Sequence, residues 1–441
     1  MAGRRAVGLR DGKRILYHNA FMNHALCVLI FCATYCGIAV GGVPGLTLDR
    51  TGIALLGAIA MVAAGVLPLS GALASIDSST LLLLFGLMLV SAQLRLSGFY
   101  ARTARMLSGW TSTPRSFLLG LMLVSGALSS VLVNDIVCLA FTPVVAAAVV
   151  RARLNPMPYL IGLACATNIG SAATLIGNPQ NMLIGQVARL PFGPFLAWCA
   201  VPVALSMAAA YGLLLWIYRG RLTLGEPSAG LGPAGASARA LPDDGLAGER
   251  DEPWQRRKGL LVTAAVVALF FTAIPRETVA LVAGGVLLCS RKMDARRLLG
   301  LIDWSLILLF CGLFVVIAGF ETTGIPGRFL AWMTQHRLSL SNPYALVGVG
   351  AALSNVVSNV PAVMLLARFL QGAPREAWYA LALASTFAGN LITIGSIANL
   401  IVIEQARGWG VALTFREHAR AGIPVTLASL GIVVLWLMLK L

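Results

Sequence analysis

Two short stretches of the chain carry residues able to bind ions. Ser129, Ser130, Asn134 and Asp135 fall within residues 128–135, and the pattern returns as Ser354, Asn355, Ser358 and Asn359 within 353–360, an offset of 225. Hydroxyls and carboxamides offer both donors and acceptors, so such a cluster can stand in for the hydration shell of a small ion. In apolar surroundings it is costly unless it lines a cavity, and its appearing twice points to a transport site built from an internal repeat.

Two further stretches have the same character. Residues 166–181 hold Thr167, Asn168, Gly170, Ser171, Thr174, Gly177, Asn178 and Asn181 around Pro179, and residues 389–399 hold Asn390, Thr393, Gly395, Ser396 and Asn399. Aligning Gly177 with Gly395 also pairs Asn178 with Ser396 and Asn181 with Asn399, an offset of 218. Unwound backbone here would offer carbonyls to a cation and N–H groups to an anion. Close packing of helices through small residues produces similar sequence, but two such segments in register favour a site.

Asp135 is the single carboxylate expected at the heart of this site, able to exchange a proton or, ionised, to hold Na⁺. Its repeat partner is Val360, so the halves cannot contribute equally to coupling. Glu277, Glu321 and Glu404 lie nearer predicted span ends, where solvated or capping roles fit better. Arg95 and Glu321 occupy equivalent repeat positions with opposite charge, which the sequence does not explain. The eight cysteines, at 27, 32, 36, 138, 165, 199, 289 and 311, show no paired metal-ligand spacing and read as small buried packing residues. His18, His24, His336 and His418 all fall near predicted membrane boundaries or in loops. The expectation is no metal, no catalytic set and no cofactor beyond a coupling ion, H⁺ or Na⁺.

The elements that must position these residues follow from composition. Hydrophobic residues make up 58% of the chain and charged residues 11%, with a mean hydropathy of +0.84, whereas soluble domains carry roughly 25% charge. This is a polytopic membrane protein, all-α. About ten stretches are apolar over a length near that of a span, at 24–43, 51–70, 79–97, 160–186, 194–218, 259–274, 276–290, 303–320, 378–405 and 420–440. The first reads as a span and not as a removed signal peptide. Residues 116–150 and 343–372 are left over, each apolar on both sides of an amide-bearing tip, and read as re-entrant helical hairpins. Asn134 is expected to cap the second arm of the first hairpin, and Pro361 to sit in the first turn of the second arm of the other.

Residues 77–98 also match 303–324 at an offset of 226, pairing Asp77 with Asp303, Gly86 with Gly312 and Gly98 with Gly324. With an odd number of spans, roughly five, in each half, the second half must be inverted relative to the first. The expected architecture is therefore two inverted-topology repeats, each with a re-entrant hairpin and a broken helix. Residues 1–23 form a basic tail, 24–218 the first repeat, 219–258 a flexible cytoplasmic linker rich in Gly, Pro, Ala and Ser, and 259–441 the second repeat.

The net charge of +16 is spread over loops instead of forming a nucleic-acid stripe, and a positive-inside bias explains it. Loops bearing Arg95, Arg102, Arg105 and Arg115, then Arg151 and Arg153, then Arg291, Lys292, Arg296 and Arg297, then Arg407, Arg416 and Arg420 should face the cytoplasm. This topology puts the N-terminus outside, where Arg4, Arg5, Arg10, Lys13 and Arg14 break the same rule.

Together these residues resemble a known group. The Asn-Asp tip with Thr142-Pro143, the Ser-Asn-Val-Pro tip at 358–361 and Ile394-Gly395-Ser396 are similar to the ion transporter superfamily of arsenite permeases, NhaD-type antiporters, citrate transporters and divalent anion:sodium symporters. The resemblance runs from about residue 24 to 441. It implies that the tips at 129–135 and 354–361 and the broken helices at 167–181 and 389–399 enclose substrate and coupling ions. Members are often homodimers. Dicarboxylate symporters carry Ser-Asn-Thr at each tip where this chain has Val133-Asn134-Asp135 and Ser358-Asn359-Val360, while the segment 175–181 is similar to permeases of the citrate-transporter type.

The leading expectation is an H⁺- or Na⁺-coupled secondary transporter of a small anion, multi-pass in the cell inner membrane and working by alternating access. A Na⁺/H⁺ antiporter with Asp135 as cation site, or an arsenite-type efflux permease, would use the same frame. An intramembrane enzyme would need a nucleophile with a base, or a metal cluster, at membrane depth, and the placement of the histidines argues against one.

Overall fold

The computed structural model describes residues 24–42, 46–222, 252–290, 292–336, 340 and 342–441. The basic tail and most of the expected linker lie outside these residues.

Helices follow one another along the chain. The first ten are α1 (His24–Val40), α2 (Arg50–Ala63), α3 (Leu69–Ala74), α4 (Ser78–Leu96), α5 (Phe99–Ser108), α6 (Pro114–Val131), α7 (Asn134–Arg151), α8 (Pro156–Ser171), α9 (Pro179–Val187) and α10 (Phe192–Ile217). Then come α11 (Pro253–Leu269), α12 (Arg276–Leu288), α13 (Ala295–Gly300), α14 (Trp304–Thr322), α15 (Ile325–Gln335), α16 (Pro343–Val357), α17 (Asn359–Ala367), α18 (Arg375–Ala388), α19 (Ile397–Arg407) and α20 (Phe415–Lys440). The second ten repeat the first in order, and three pairs match in length: α3 and α13 have 6 residues each, α4 and α14 have 19, α10 and α20 have 26.

Six of these helices, α4, α6, α7, α10, α14 and α20, are long and apolar enough to cross a membrane, and α1, α2 and α16 are shorter apolar helices. The stretches 160–186 and 378–405 are each split, into α8 with α9 and α18 with α19, as their glycines and amides suggested. Each arm of the first hairpin, α6 and α7, has 18 residues, and those of the second, α16 and α17, have 15 and 9. The sequence reading missed α5 and α15, placing Arg102 and Arg105 of α5 in a loop. Residues 253–258, read as the end of the linker, form the first turns of α11. Pro253 suits a first turn, the Gln255 side chain accepts from Gln93 Nε2 at 3.0 Å, and Lys258 Nζ donates to the Val286 and Cys289 carbonyls.

Two compact units emerge, and neither coincides with a sequence half. Among the described residues, one takes those from 24 to 78 with 303–336, the other those from 79 to 302 with 340–441. In the first unit, α14 lies against α2 through Gly312, where a Cβ would come within 2.7 Å of the Ala54 carbonyl carbon. Cys27 Sγ donates to the Gly319 carbonyl at 3.1 Å, and Phe31 stacks on Phe320 with ring centroids 4.0 Å apart. In the second unit, Gly86 of α4 presses on Ala280 of α12, where a Cβ would overlap the carbonyl group. Gly86 pairs with Gly312, and Ala54 with Ala280, at the repeat offset of 226. The same backbone contact is therefore made once in each unit.

Within the second unit α8 is buried along its whole length, and α18 is nearly so. A helix that is apolar or small-sided all round belongs inside a bundle. Gly170 of α8 meets Gly126 of α6 so closely that a Cβ would overlap the Gly126 backbone. The cysteines divide: Cys27, Cys138, Cys165 and Cys199 are buried, while Cys32, Cys36 and Cys289 are exposed on helix surfaces or ends, contrary to a uniformly buried reading.

Candidate functional site

Each broken helix is interrupted for the same local reasons. Asn178 precedes Pro179, which pushes it to extended backbone (φ −151°, ψ 160°), and its side chain caps α9 by accepting from the Asn181 N–H at 2.9 Å. Ser396 is likewise extended and caps α19, accepting from the Ala398 N–H at 3.2 Å. The following asparagine braces each gap. Asn181 Nδ2 donates to the Thr174 carbonyl at 2.9 Å and reaches the Ser171 carbonyl at 3.5 Å. Asn399 Nδ2 donates to the Gly389 and Ile392 carbonyls at 2.7 and 3.1 Å, and these are the positions equivalent to Ser171 and Thr174 in the other repeat.

The two breaks are then tied to each other. Asn168 Nδ2 donates to Asn390 Oδ1 at 2.9 Å and to Asn399 Oδ1 at 3.2 Å, while its Oδ1 accepts from Ser396 Oγ at 3.0 Å and from Asn134 Nδ2 at 3.3 Å. On the other side, Thr386 Oγ1 accepts from Asn178 Nδ2 and Gln180 Nε2, both at 3.3 Å. All these side chains are buried. Hydrogen bonds between buried side chains are stronger than in water, so such a network holds the two breaks together.

The hairpin tips join the breaks. The Asn134 backbone N–H donates to the Gly177 carbonyl at 3.1 Å, and the Thr174 hydroxyl donates to the Ser130 carbonyl. At the other tip, the Asn359 carboxamide faces two carbonyls, which only accept, so its nitrogen donates to Ser385 and Gly395, both at 3.1 Å. Asn355 Nδ2 donates to the Ala388 carbonyl at 3.1 Å. Ser358 holds φ 75° and ψ 161°, a conformation nearly confined to glycine. Helices α7, α9, α17 and α19 all begin around this network. Several buried polar atoms in it have no hydrogen-bond partner among the described residues: Asn134 Oδ1, Asn181 Oδ1, Asn355 Oδ1, Asn390 Nδ2 and the Ser129 and Ser354 hydroxyls. Buried polar atoms are seldom left without a partner.

This arrangement has relatives. Residues 28–388 match the citrate transporter family. The chain belongs to that family. It is 31% identical to the silicon efflux transporter LSI3 of Oryza sativa subsp. japonica over 88% of this chain and 92% of the relative. A transporter of Mycobacterium tuberculosis, Rv2685, is 30% identical over 93% of this chain and 98% of its own. The crystal structure of the Alcanivorax borkumensis YdaH transporter, noted for an unusual topology, superimposes with a TM-score of 0.51 at 14% identity, covering 95% of this chain and 97% of that one. Membership in a citrate transporter family makes this a multi-pass membrane transporter.

The site residues expected from the sequence take three kinds of place. Asn134, Asn168, Ser171, Asn178, Asn181, Asn390, Ser396 and Asn399 enter the network, with Thr167 against Cys138 Sγ at 3.0 Å. Asn355, Asn359, Thr174, Gly177 and Gly395 join tips to breaks, and Thr393 is buried in the single 3₁₀ turn between α18 and α19. Gly170 serves helix packing, and the Ser130 hydroxyl bonds its own helix at Ala127. Asn134 does not cap α7: it is the first helical residue, Val133 is the cap position, and its side chain is committed to Asn168. Asp135 is half-buried in that first turn, where a helix N-terminus favours negative charge. Pro361 lies in the first turn of α17 as expected.

Sequence reasoning missed Thr386, Gln180, Cys138, Ser385 and His418. Thr386 was findable, since it is the repeat equivalent of Asn168 at the offset of 218. His418, dismissed as a boundary residue, is buried with its ring Nε2 3.0 Å from the Asn390 carbonyl.

Proposed function

We propose that this protein is an H⁺- or Na⁺-coupled secondary transporter of a small anion in the cell inner membrane, with Asp135 carrying the coupling ion. The observation that carries this reading is the meeting of four helix N-termini, those of α7, α9, α17 and α19, around one buried network. Each such terminus carries a partial positive charge that favours an anion. Asp135 is the only charged residue in 129–150, 155–188, 338–367 and 377–403. Neutralising it with a proton or Na⁺ would remove the one repulsive charge, which links the ion to the substrate. The repeating order of helices supports alternating access between two inverted halves.

The absence of Lys and Arg from those four stretches also favours a second reading, efflux of an uncharged weak oxyacid, whose hydroxyls would pair with carboxamides. The silicon efflux transporter among the relatives accords with it. Uptake and efflux of arsenite, silicic acid, citrate, succinate, sulfate and Na⁺ in inverted vesicles, with a pH-sensitive dye present, separates the readings. A carboxylate or sulfate moving with a pH or Na⁺ gradient is the expected result. Movement of silicic acid or arsenite alone would favour the second reading, and Na⁺/H⁺ exchange without any of these solutes would overturn both.

A further inference from the structure

Side chains donate to several of the carbonyls around the end of α18. A helix leaves its last carbonyls without intrahelical partners, and at this depth each needs a donor. Thr426 Oγ1 donates to Phe387 at 3.4 Å, Asn355 Nδ2 to Ala388 at 3.1 Å, and Asn399 Nδ2 to Gly389 and Ile392 at 2.7 and 3.1 Å. The Asn390 carbonyl is taken by His418. A carbonyl only accepts, so the imidazole carries its proton on Nε2. Gly422, one turn on in α20, completes the seat: a Cβ there would overlap the Asn390 oxygen, and it would stand 3.2 Å from His418 Nε2.

The residue held this way is a central one. Asn390 Oδ1 accepts from Asn168, whereas Asn390 Nδ2 is buried with no partner among the described residues. A peptide plane pinned at its carbonyl fixes the direction of the side chain beside it. We infer that His418 is a positioning residue of the transport site, holding the Asn390 peptide so that its carboxamide gives Oδ1 to Asn168 and leaves Nδ2 to donate to an oxygen of the substrate. This rests on the transport reading above. The device is one-sided, because α10 has Phe195 as its fourth residue where α20 has His418.

The test uses the full chain, with H418F, H418Q, N390A and H418F/N390A. Hydrogen exchange is followed by mass spectrometry on a peptide spanning 386–399, and transport by whichever of the six solutes named above moves. H418F should speed amide exchange at 390–396 about tenfold, and H418Q, which keeps a donor, should stay within about twofold of the parent. H418F should raise KM by about tenfold with a nearly unchanged maximum rate, and with N390A already present it should add less than about twofold. Unchanged exchange in H418F overturns the inference whatever the transport data give, and so do KM effects that multiply in the double variant. Faster exchange in H418F, in a chain of which even the parent moves none of the solutes, supports the His418–Asn390 coupling and removes the transport reading instead.

Discussion

Asn168 and Thr386 hold the same place in the two repeats, and each bonds the residue that caps the helix beyond the other's break. Asn168 accepts from Ser396 at 3.0 Å and Thr386 from Asn178 at 3.3 Å. The relation is reciprocal although the residue types differ, a carboxamide on one side and a hydroxyl on the other. The carboxamide makes four bonds with its side chain and carries more of the network.

Replacing Asn168 with alanine therefore removes four bonds and leaves buried partners unpaired, each costing about 1–3 kcal/mol. We expect N168A to lower the melting temperature sharply and T386A to do so less. S396A and N168A should be non-additive, because both remove the same bond. Melting curves of the purified singles and the double check this, and additive losses would mean that the bond contributes nothing.

Asp135→Asn keeps the shape of the first turn of α7 and removes the carboxylate. Ion-coupled flux in proteoliposomes should disappear while expression and melting temperature hold. Normal coupled flux in D135N would end the coupling role.

The paired glycine contacts predict a stability difference. G86A and G312A put a methyl group into backbone at Ala280 and Ala54, which should cost about 1–3 kcal/mol. Gly212 has nothing within 4 Å of where a Cβ would stand, so G212A should be neutral or slightly stabilising. Equal melting temperatures for G86A and G212A would contradict the close approach.

Ser358 stands at φ 75° in a region that costs about 1–3 kcal/mol for a residue with a side chain. Glycine relieves that strain but raises unfolded-chain entropy by about 0.4–1 kcal/mol, so S358G should be neutral to stabilising. S358A keeps the strain and loses the hydroxyl. A melting temperature of S358G below that of S358A would show that the tip is not strained.

The hairpin reading requires the ends of α6 and α7 to lie on one side of the membrane. Cysteines placed at Arg115 and Arg151 should react with an impermeant reagent from the same side. Labelling from opposite sides would replace the hairpin with one net crossing and remove the inverted repeat.

Much of this fold is legible in the chain because its order is stored twice. A glycine, an asparagine and a small polar residue recurring at fixed offsets mark both breaks, and neither mark depends on knowing the register of a helix. What escaped did so for physical reasons. Thr386 sits beside Ser385 in the otherwise apolar run of residues 380–388, where two hydroxyls give little signal, and His418 becomes informative only once α20 is known to start at Phe415. Gly170 was read as a site residue because close backbone approach and an opened helix call for the same amino acid. The arginines of α5 masked a helix, since charge reads as loop when no apolar face is long enough to outweigh it.

The five hydrogen bonds between the breaks, those of Asn168 with Asn390, Asn399 and Ser396 and those of Thr386 with Asn178 and Gln180, also constrain how the two breaks can move. A motion that opened a cleft between the two breaks would sever all five, at about 0.5–1.5 kcal/mol apiece even before any unpaired group is counted. A motion that carries both breaks together severs none. The network acts as a rivet, and the cargo between the breaks would be moved as in a closed hand, with the bending done at joints elsewhere in the chain.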